Sequence, residues 1–163
     1  MLTHYRYPVC LSFLSTDLPI CSELETVATL YQKDESRFHL LMTEPSICDR
    51  TLLLADRQEQ RLPWDATPRL LWLELSPYRV TLSMQGNGQF SYRHFWERGV
   101  YGLSRYWLQS SQFGQGDQLR LRNFTRNLTL EASPLPRLLR IDYELWSASL
   151  VLGHYVLMLE IRH

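Results

Sequence analysis

The chain has 163 residues, of which 45% are hydrophobic and 21% are charged. This composition predicts one globular domain over residues 1–163 and excludes a disordered chain. Its 17 basic and 17 acidic residues give a formal net charge of zero, so no overall field attracts nucleic acid or an anionic membrane.

An N-terminal helix is the first predicted element. Ser22 and Glu25 match the S-x-x-E capping box that begins many helices. Apolar residues then recur at helical spacing, at Leu24, Val27, Ala28 and Tyr31. The helix is expected to end near Lys33, because a cation suits the negative end of the helix dipole.

β-Strands are predicted from residue 36 onward, where the hydrophobic period changes to two. Phe38, Leu40 and Met42 alternate with their neighbours in the first of them. Further strands are predicted at 50–56, 69–75, 78–84 and 89–93. The sequence QGNG at 85–88 predicts a tight hairpin turn, since Asn-Gly tolerates the positive φ angles that such turns need.

A second helix is predicted at 94–110, within a stretch rich in aromatic residues and arginine. One helical face would carry four apolar residues, namely Trp96, Val100, Leu103 and Trp107. Gly99 and Gly102 each weaken a helix by about 1 kcal/mol relative to alanine, but they also permit close packing on a sheet. We expect this aromatic helix to pack on the sheet.

The last third of the chain predicts four more strands, at 119–124, 128–132, 136–146 and 149–163. In the third of these, Leu139, Ile141 and Tyr143 alternate with charged residues, which is typical of a half-buried antiparallel strand. The predicted fold class is therefore α+β, with a predominantly antiparallel sheet, an N-terminal helix and an aromatic helix. The sequence does not decide whether this sheet closes into a barrel.

No residue pattern for catalysis or metal binding stands out. The five histidines lack metal-ligand spacing, and nucleophile-elbow, P-loop and dinucleotide motifs are absent. The three cysteines, Cys10, Cys21 and Cys48, lack CxxC spacing, which favours a reducing compartment. The N-terminus lacks a signal-peptide pattern. We therefore expect a cytoplasmic protein with no catalytic residues, no metal ligands and no cofactor.

The leading functional prediction is a non-catalytic binding or assembly protein that docks a protein partner. Interfaces favour tyrosine, tryptophan and arginine over lysine and glutamate, and residues 90–108 have that bias. The candidate partner-binding residues are Arg93, Arg98, Arg105 and Tyr106. Single-stranded nucleic acid is a third possibility, because exposed aromatic rings stack on bases. Glu97 and the neutral net charge argue against it.

The alternative prediction is a concave site for an acidic, conjugated small molecule. Arginines on strands could clamp its carboxylates, and nearby aromatic rings could supply a flat apolar wall. The candidate ligand-binding residues are Arg122, Glu131, Arg137, Arg140, Tyr143 and Trp146. The ordinary explanation for these arginines is cross-strand ion pairs with Glu131, Asp142 and Glu144.

Residues 113–141 and the terminal EIRH resemble the C-terminal strands of the S-type phycobiliprotein chromophore lyases of cyanobacteria. The Ala-Ser-Pro sequence at 132–134 and Arg137 match a motif of that family. Leu130, Asn127 and Leu135 stand where the family has tryptophan, an acidic residue and asparagine. The resemblance implies a calycin-like barrel that takes a linear tetrapyrrole as its substrate. The protein is expected to be an enzyme, a bilin lyase, only if this resemblance holds.

Overall fold

A computed structural model describes residues 4–44, 69–85, 90–108 and 117–163. They form ten antiparallel strands: β1 (His4–Ser15), β2 (Cys21–Gln32), β3 (Phe38–Glu44), β4 (Arg69–Leu75), β5 (Arg79–Gln85), β6 (Phe90–Glu97), β7 (Tyr101–Leu108), β8 (Asp117–Ala132), β9 (Pro136–Ser147) and β10 (Leu150–Ile161). Each strand pairs with its neighbours in the sequence, and β1 pairs with β10. The sheet therefore closes into a barrel, which leaves no unpaired edge.

The described residues contain no helix, so the predicted α+β class is wrong and this part of the chain is all-β. None of it forms a helix of the length and apolarity that crossing a membrane requires. The antiparallel sheet and the strands predicted at 69–75, 78–84 and 136–146 are confirmed as β4, β5 and β9. The predicted strand at 50–56 and most of the predicted turn at 85–88 lie outside the described residues.

The predicted N-terminal helix is strand β2, paired with β1 and β3. Its inward residues follow the two-residue period of a strand, with Ala28 and Leu30 at 0% and 2% exposure. Val27, which a helix would have buried beside Ala28, is 45% exposed on the outer face. Cross-strand pairing and burial inside the barrel thus outweigh the capping box and the local helix propensity.

The predicted aromatic helix at 94–110 is also wrong, because its described residues, 94–108, form the end of β6, a turn and β7. Gly99 lies in that turn with φ of 73°, a conformation that glycine adopts without strain. The inward residues of β7 include Gly102 and Ser104. Because the inner face of β7 carries these small and polar residues, the hydrophobic alternation of its sequence does not indicate a strand.

Most of the barrel interior is an apolar core. Its largest fully buried side chains are Trp96, Phe38, Leu40, Met42, Leu71, Leu73, Leu75, Met84, Leu128, Leu139, Ile141 and Leu159. They come from seven of the ten strands, which pack their inner faces against one core. Two further features place the site described below. The strands β1, β3, β5, β7 and β9 all finish at one end of the barrel, called here the Ser15 end. Buried polar side chains gather on β6, β7 and β8.

Candidate functional site

A chain of hydrogen-bonded polar side chains crosses three adjacent strands inside the barrel. On β8, Asn123 donates from Nδ2 to the hydroxyl of Ser104 on β7, at 2.9 Å. Ser104 Oγ lies 2.8 Å from Nδ1 of His94 on β6. The Nε2 atom of the same imidazole lies 3.3 Å from the hydroxyl of Tyr106. The strand register places His94 opposite Ser104, and it places Asn123 opposite Gly102, the neighbouring inward position of β7.

His94 is a neutral histidine held in an aromatic environment. Burial lowers the pKa of His94 from 6.5 to about 4, because the imidazolium would lose its hydration without gaining a counter-charge. Its ring stacks on Trp96 with centroids 5.0 Å apart and an interplanar angle of 4°. Ser104 accepts a hydrogen bond from Asn123 and can donate its own hydrogen to Nδ1. This arrangement leaves the hydrogen on Nε2 for Tyr106.

Four tyrosines surround this polar chain toward the Ser15 end. Burial and the nearby Tyr155 raise the pKa of Tyr106 to about 12. Burial raises the pKa of Tyr143 well above its ordinary value, and Tyr106, Tyr155 and Tyr92 add to the effect. The ring centroids of Tyr92 and Tyr106 lie 6.0 Å apart, and those of Tyr143 and Tyr155 lie 5.6 Å apart. Tyr92, Tyr106 and Tyr155 are half-buried, so they line the interior without being sealed into the core.

The aromatic rings form a continuous set across the barrel. Trp96 contacts Tyr143 with ring centroids 5.2 Å apart, and Tyr143 contacts Tyr155 at 5.6 Å. Tyr155 stacks on Phe13 of β1 at 5.1 Å. These contacts join β6 to β9, β10 and β1, so the aromatic wall spans much of the barrel's inner circumference.

Gly102 of β7 leaves room for groups of the two neighbouring strands, β6 and β8, to approach each other on the inner face of the sheet. A Cβ atom at this position would overlap the carbonyl oxygen of Phe95 and lie 2.9 Å from Asn123 Oδ1. Arg98, just beyond β6, forms an isolated parallel bridge with Thr125 of β8. Glycine at position 102 therefore lets the backbone of β6 press inward against the Asn123 amide.

Three buried polar atoms beside this chain have no hydrogen-bond partner, namely Trp96 Nε1, Asn123 Oδ1 and Thr125 Oγ1. Buried polar groups are nearly always paired in proteins, because an unpaired one costs about 1–3 kcal/mol. One is a donor, one is an acceptor and one is a hydroxyl that can be either. The interior thus holds unused hydrogen-bonding capacity next to an aromatic wall.

The predicted ligand-binding residues are not brought together by the barrel. Tyr143 faces the interior, whereas Arg122 and Arg140 are exposed on the outer face. Arg122 donates to the carbonyl of Ala148 at 2.7 Å, and Arg140 forms an ion pair with Asp142 at 3.1 Å. Glu131 and Arg137 are exposed near the end opposite Ser15, and Trp146 is half-buried on the outer face of β9.

The predicted partner-binding residues divide between two faces. Arg93 and Arg105 lie on the outer face, opposite each other on β6 and β7. Arg98 lies at the turn after β6, where its guanidinium donates to the carbonyl of Leu128. Tyr106 faces the interior and contacts His94. The structure therefore places Arg93 and Arg105 together and separates them from Tyr106.

Sequence reasoning missed His94, Ser104 and Asn123 as a group. Their signal is inverted on β7, where Ser104 is buried and Leu103 is exposed, and it is mixed on β6 and β8, whose inner faces also carry apolar residues such as Trp96 and Leu121. A two-residue period with its polar phase buried resembles an ordinary strand whose polar phase faces water. Only the register of three strands shows which phase faces inward.

A second cluster lies outside the barrel around Glu144. Trp146 Nε1 donates to Glu144 Oε2 at 3.0 Å, and Arg126 forms an ion pair with the same carboxylate. Burial alone would raise the pKa of Glu144, but the hydrogen bonds from Arg126 and Trp146 lower it below its ordinary value. His154 lies between Glu144, at 3.5 Å, and Asp17, at 3.1 Å. This cluster attaches the β1–β2 turn to β10.

Cys10, Glu23 and Glu25 also meet on the outer surface of β1 and β2. Their ligand atoms lie within 4.8 Å of one another, a grouping that sequence spacing did not indicate. Partial burial raises the pKa of Cys10, and the Glu23 and Glu25 carboxylates add to that rise. Since the thiolate is the nucleophile and the metal ligand, these surroundings weaken both kinds of reactivity.

Comparisons with known proteins identify the fold and no family. No family model matches the chain, and no curated protein matches its sequence. The crystal structure of the ywiB protein from Bacillus subtilis is similar over 97% of this chain and 94% of that chain, with a TM-score of 0.56 and 13% sequence identity. The closed antiparallel barrel fits a calycin-like fold. None of these comparisons names a chromophore lyase.

Proposed function

We propose that the protein binds a flat, conjugated and uncharged small molecule inside the barrel, beside the polar chain of Asn123, Ser104 and His94. The observation that carries this proposal is the unpaired set of buried polar atoms on Trp96, Asn123 and Thr125, beside an aromatic wall. Ligand pockets in barrels are mostly apolar, with a few placed polar groups that orient the ligand. The half-buried Tyr92, Tyr106 and Tyr155 add ring faces and hydroxyls on the same side.

The described side chains on which the proposal rests are uncharged at neutral pH, and this favours an uncharged ligand. His94 is neutral above a pKa of about 4, and Tyr106 is neutral below a pKa of about 12. Arg122 and Arg140 lie outside the barrel and cannot clamp a carboxylate within it. A charged group in the site would lose its hydration without a counter-charge. The favoured ligand therefore has ring faces for stacking and carbonyl or N–H groups for hydrogen bonding.

Binding is proposed rather than catalysis because of the same pKa values. A general base works best when its pKa lies near the working pH. A histidine with a pKa of about 4 and a tyrosine with a pKa of about 12 are both far from neutral pH. They serve better as fixed hydrogen-bonding groups than as proton carriers.

A linear tetrapyrrole is the first ligand to test, since the resemblance at 113–141 suggests this class. The purified protein would be titrated with biliverdin and, separately, with biliverdin dimethyl ester, in which both carboxylates are masked. Visible absorbance and tryptophan fluorescence would report binding, because Trp96 lies in the site. We expect saturable binding of the ester at least as tight as that of the free acid, because Arg122 and Arg140 lie on the outer face of the barrel.

Isosteric variants locate the site. Tyr106→Phe and Tyr155→Phe each remove one inward hydroxyl and should weaken ester binding by about fivefold. Tyr78→Phe is the matched control, since Tyr78 is 71% exposed in the β4–β5 turn. Binding that strongly prefers the free acid and is lost in Arg122→Gln would contradict the interior site. If neither compound binds, a linear tetrapyrrole is excluded as the ligand. If a panel of other flat neutral molecules also fails to bind, the proposal is refuted.

A further inference from the structure

Three arginines form a row across the outer face of the hairpin and its neighbour. Arg93 on β6 lies directly opposite Arg105 on β7, which lies directly opposite Arg120 on β8. Arg122 lies two residues further along β8 on the same face. This face, defined by Arg93, Arg105, Arg120 and Arg122, is called here the arginine face. It is separate from the interior site, because successive side chains of a strand point to opposite sides of the sheet.

Within the part of the chain that the structure describes, no carboxylate forms an ion pair with the arginine face. The ion pairs of the described residues involve other arginines, at positions 37, 126, 140 and 162. Arg105 also has a buried Nε atom without a hydrogen-bond partner. Like charges directly opposite each other destabilise a sheet, and a desolvated unpaired guanidinium N–H adds to that cost. An anionic partner would relieve both.

Exposed aromatic and apolar side chains flank the row. Tyr101 is 51% exposed, contacts Phe124 at 4.9 Å and lies under the Arg122 guanidinium, 5.2 Å from the ring centroid. Leu103 is 39% exposed between Tyr101 and the row. Trp107 is half-buried on the other side of the row. Arginine beside an exposed tyrosine and a half-buried tryptophan is typical of protein interfaces.

The spacing of the row suits a helix. Adjacent strands lie about 4.8 Å apart, so the three arginines span about 10 Å. On a helix, residues i and i+7 lie about 10 Å apart with i+3 or i+4 between them on the same face. We propose that the arginine face docks an acidic helix of a protein partner, laid across the strands with three carboxylates above Arg93, Arg105 and Arg120. Apolar residues of that helix would contact Leu103 and Trp107.

Synthetic helical peptides test this geometry. One peptide carries glutamate at i, i+4 and i+7, and a second has the same composition with its glutamates spread around the helix. Fluorescence anisotropy with the full chain would compare them at low and high salt. We expect the striped peptide to bind more tightly than the spread one, and its affinity to fall as salt rises.

Variants on exposed positions make the test specific. The double variant Arg93→Gln with Arg120→Gln should weaken the striped peptide by about tenfold. Arg140→Gln should leave it unchanged, because Arg140 is an exposed arginine of β9 that already pairs with Asp142. Circular dichroism would confirm that each variant is folded. Equal binding of the two peptides, or an unaltered affinity in the double variant, would overturn the proposal.

A single-stranded oligonucleotide distinguishes the other class of polyanion. Phosphates could also occupy the row, and bases could stack on Tyr101 and Trp107. Binding of oligo(dT) more tightly than the striped peptide would replace the acidic helix with nucleic acid. Failure of both probes would refute an anionic partner at this face. None of these outcomes bears on tetrapyrrole binding, whose residues lie on the inner face.

Discussion

His94 should make the stability of the protein depend on pH in a way that can be isolated. Its pKa is about 4 in the folded protein and 6.5 when freely hydrated. Above pH 6.5 both the folded and the unfolded chain hold a neutral imidazole, so the full stability is present. Between pH 6.5 and 4 only the unfolded chain takes up the proton, and the free energy of unfolding falls.

The magnitude follows from the two pKa values. Each unit of pKa difference corresponds to about 1.4 kcal/mol, so the depression predicts a loss of about 3 kcal/mol between pH 7 and pH 4. Carboxylates also titrate in this range and would obscure the effect in the parent protein alone. A His94→Gln variant retains those carboxylates and retains a group that can accept from Ser104. Subtracting its stability leaves the histidine contribution.

Urea denaturation of both proteins at a series of pH values provides the measurement. The stability difference between parent and variant should shift by about 3 kcal/mol toward the variant as pH falls from 7 to 4. Tyr106→Phe is the control, because burial rather than the Tyr106 hydroxyl lowers the pKa of His94. It should keep the parent pH dependence. A difference that stays flat would show that His94 is hydrated, and one that favours the parent at low pH would show that it is charged in the folded state.

Three substitutions test other parts of the barrel by the same denaturation assay. Arg120→Gln should raise the free energy of unfolding by about 0.2–1 kcal/mol, since it removes one like-charge pair with Arg105; a clear loss would mean that Arg120 has a stabilising partner. Thr125→Val should be neutral or stabilising by up to about 1 kcal/mol because its hydroxyl is buried and unpaired, and a marked loss would reveal a bonded hydroxyl. Gly102→Ala should cost about 1–3 kcal/mol, because its Cβ would overlap a backbone carbonyl. An unchanged stability would contradict the close approach of β6 to β8.

The strands with apolar inner faces could be predicted from the sequence. In β4, Leu71, Leu73 and Leu75 are buried at alternate positions, and β9 repeats the pattern with Leu139, Ile141 and Tyr143. Here burial and period agree, so local pattern and global fold lead to the same assignment.

The two predicted helices failed for different physical reasons. In β2, Leu24 and Ala28 are four residues apart, a spacing that places two side chains on one face in a helix and in a strand alike. The helix prediction depended on counting Val27 with the same apolar face, but Val27 lies exposed on the outer face of the strand. In β7 the pattern is inverted, because Ser104 is buried while Leu103 is exposed.

The candidate site was beyond the reach of the sequence because it depends on register. Asn123 lies 29 residues after His94 in the chain, and the two meet only through Ser104 on the intervening strand. Arg93 and Arg105, by contrast, were selected from local composition, and pairing places them side by side. Arg120 joins them only because β8 follows β7 in the same sheet.

The alternation along β6 and β7 has a consequence for how this protein can change. A substitution at Arg93 or Arg105 alters the outside of the barrel, and one at His94 or Ser104 alters the inside, although the positions are adjacent in the chain. When substitutions from both faces are combined, each should therefore change only the binding at its own face, as it does alone. Insertion of one residue in β6 would instead exchange its inner and outer side chains and place the Arg93 guanidinium in the core. Substitution in the hairpin can thus alter one face at a time, whereas insertion or deletion of a single residue alters both faces together.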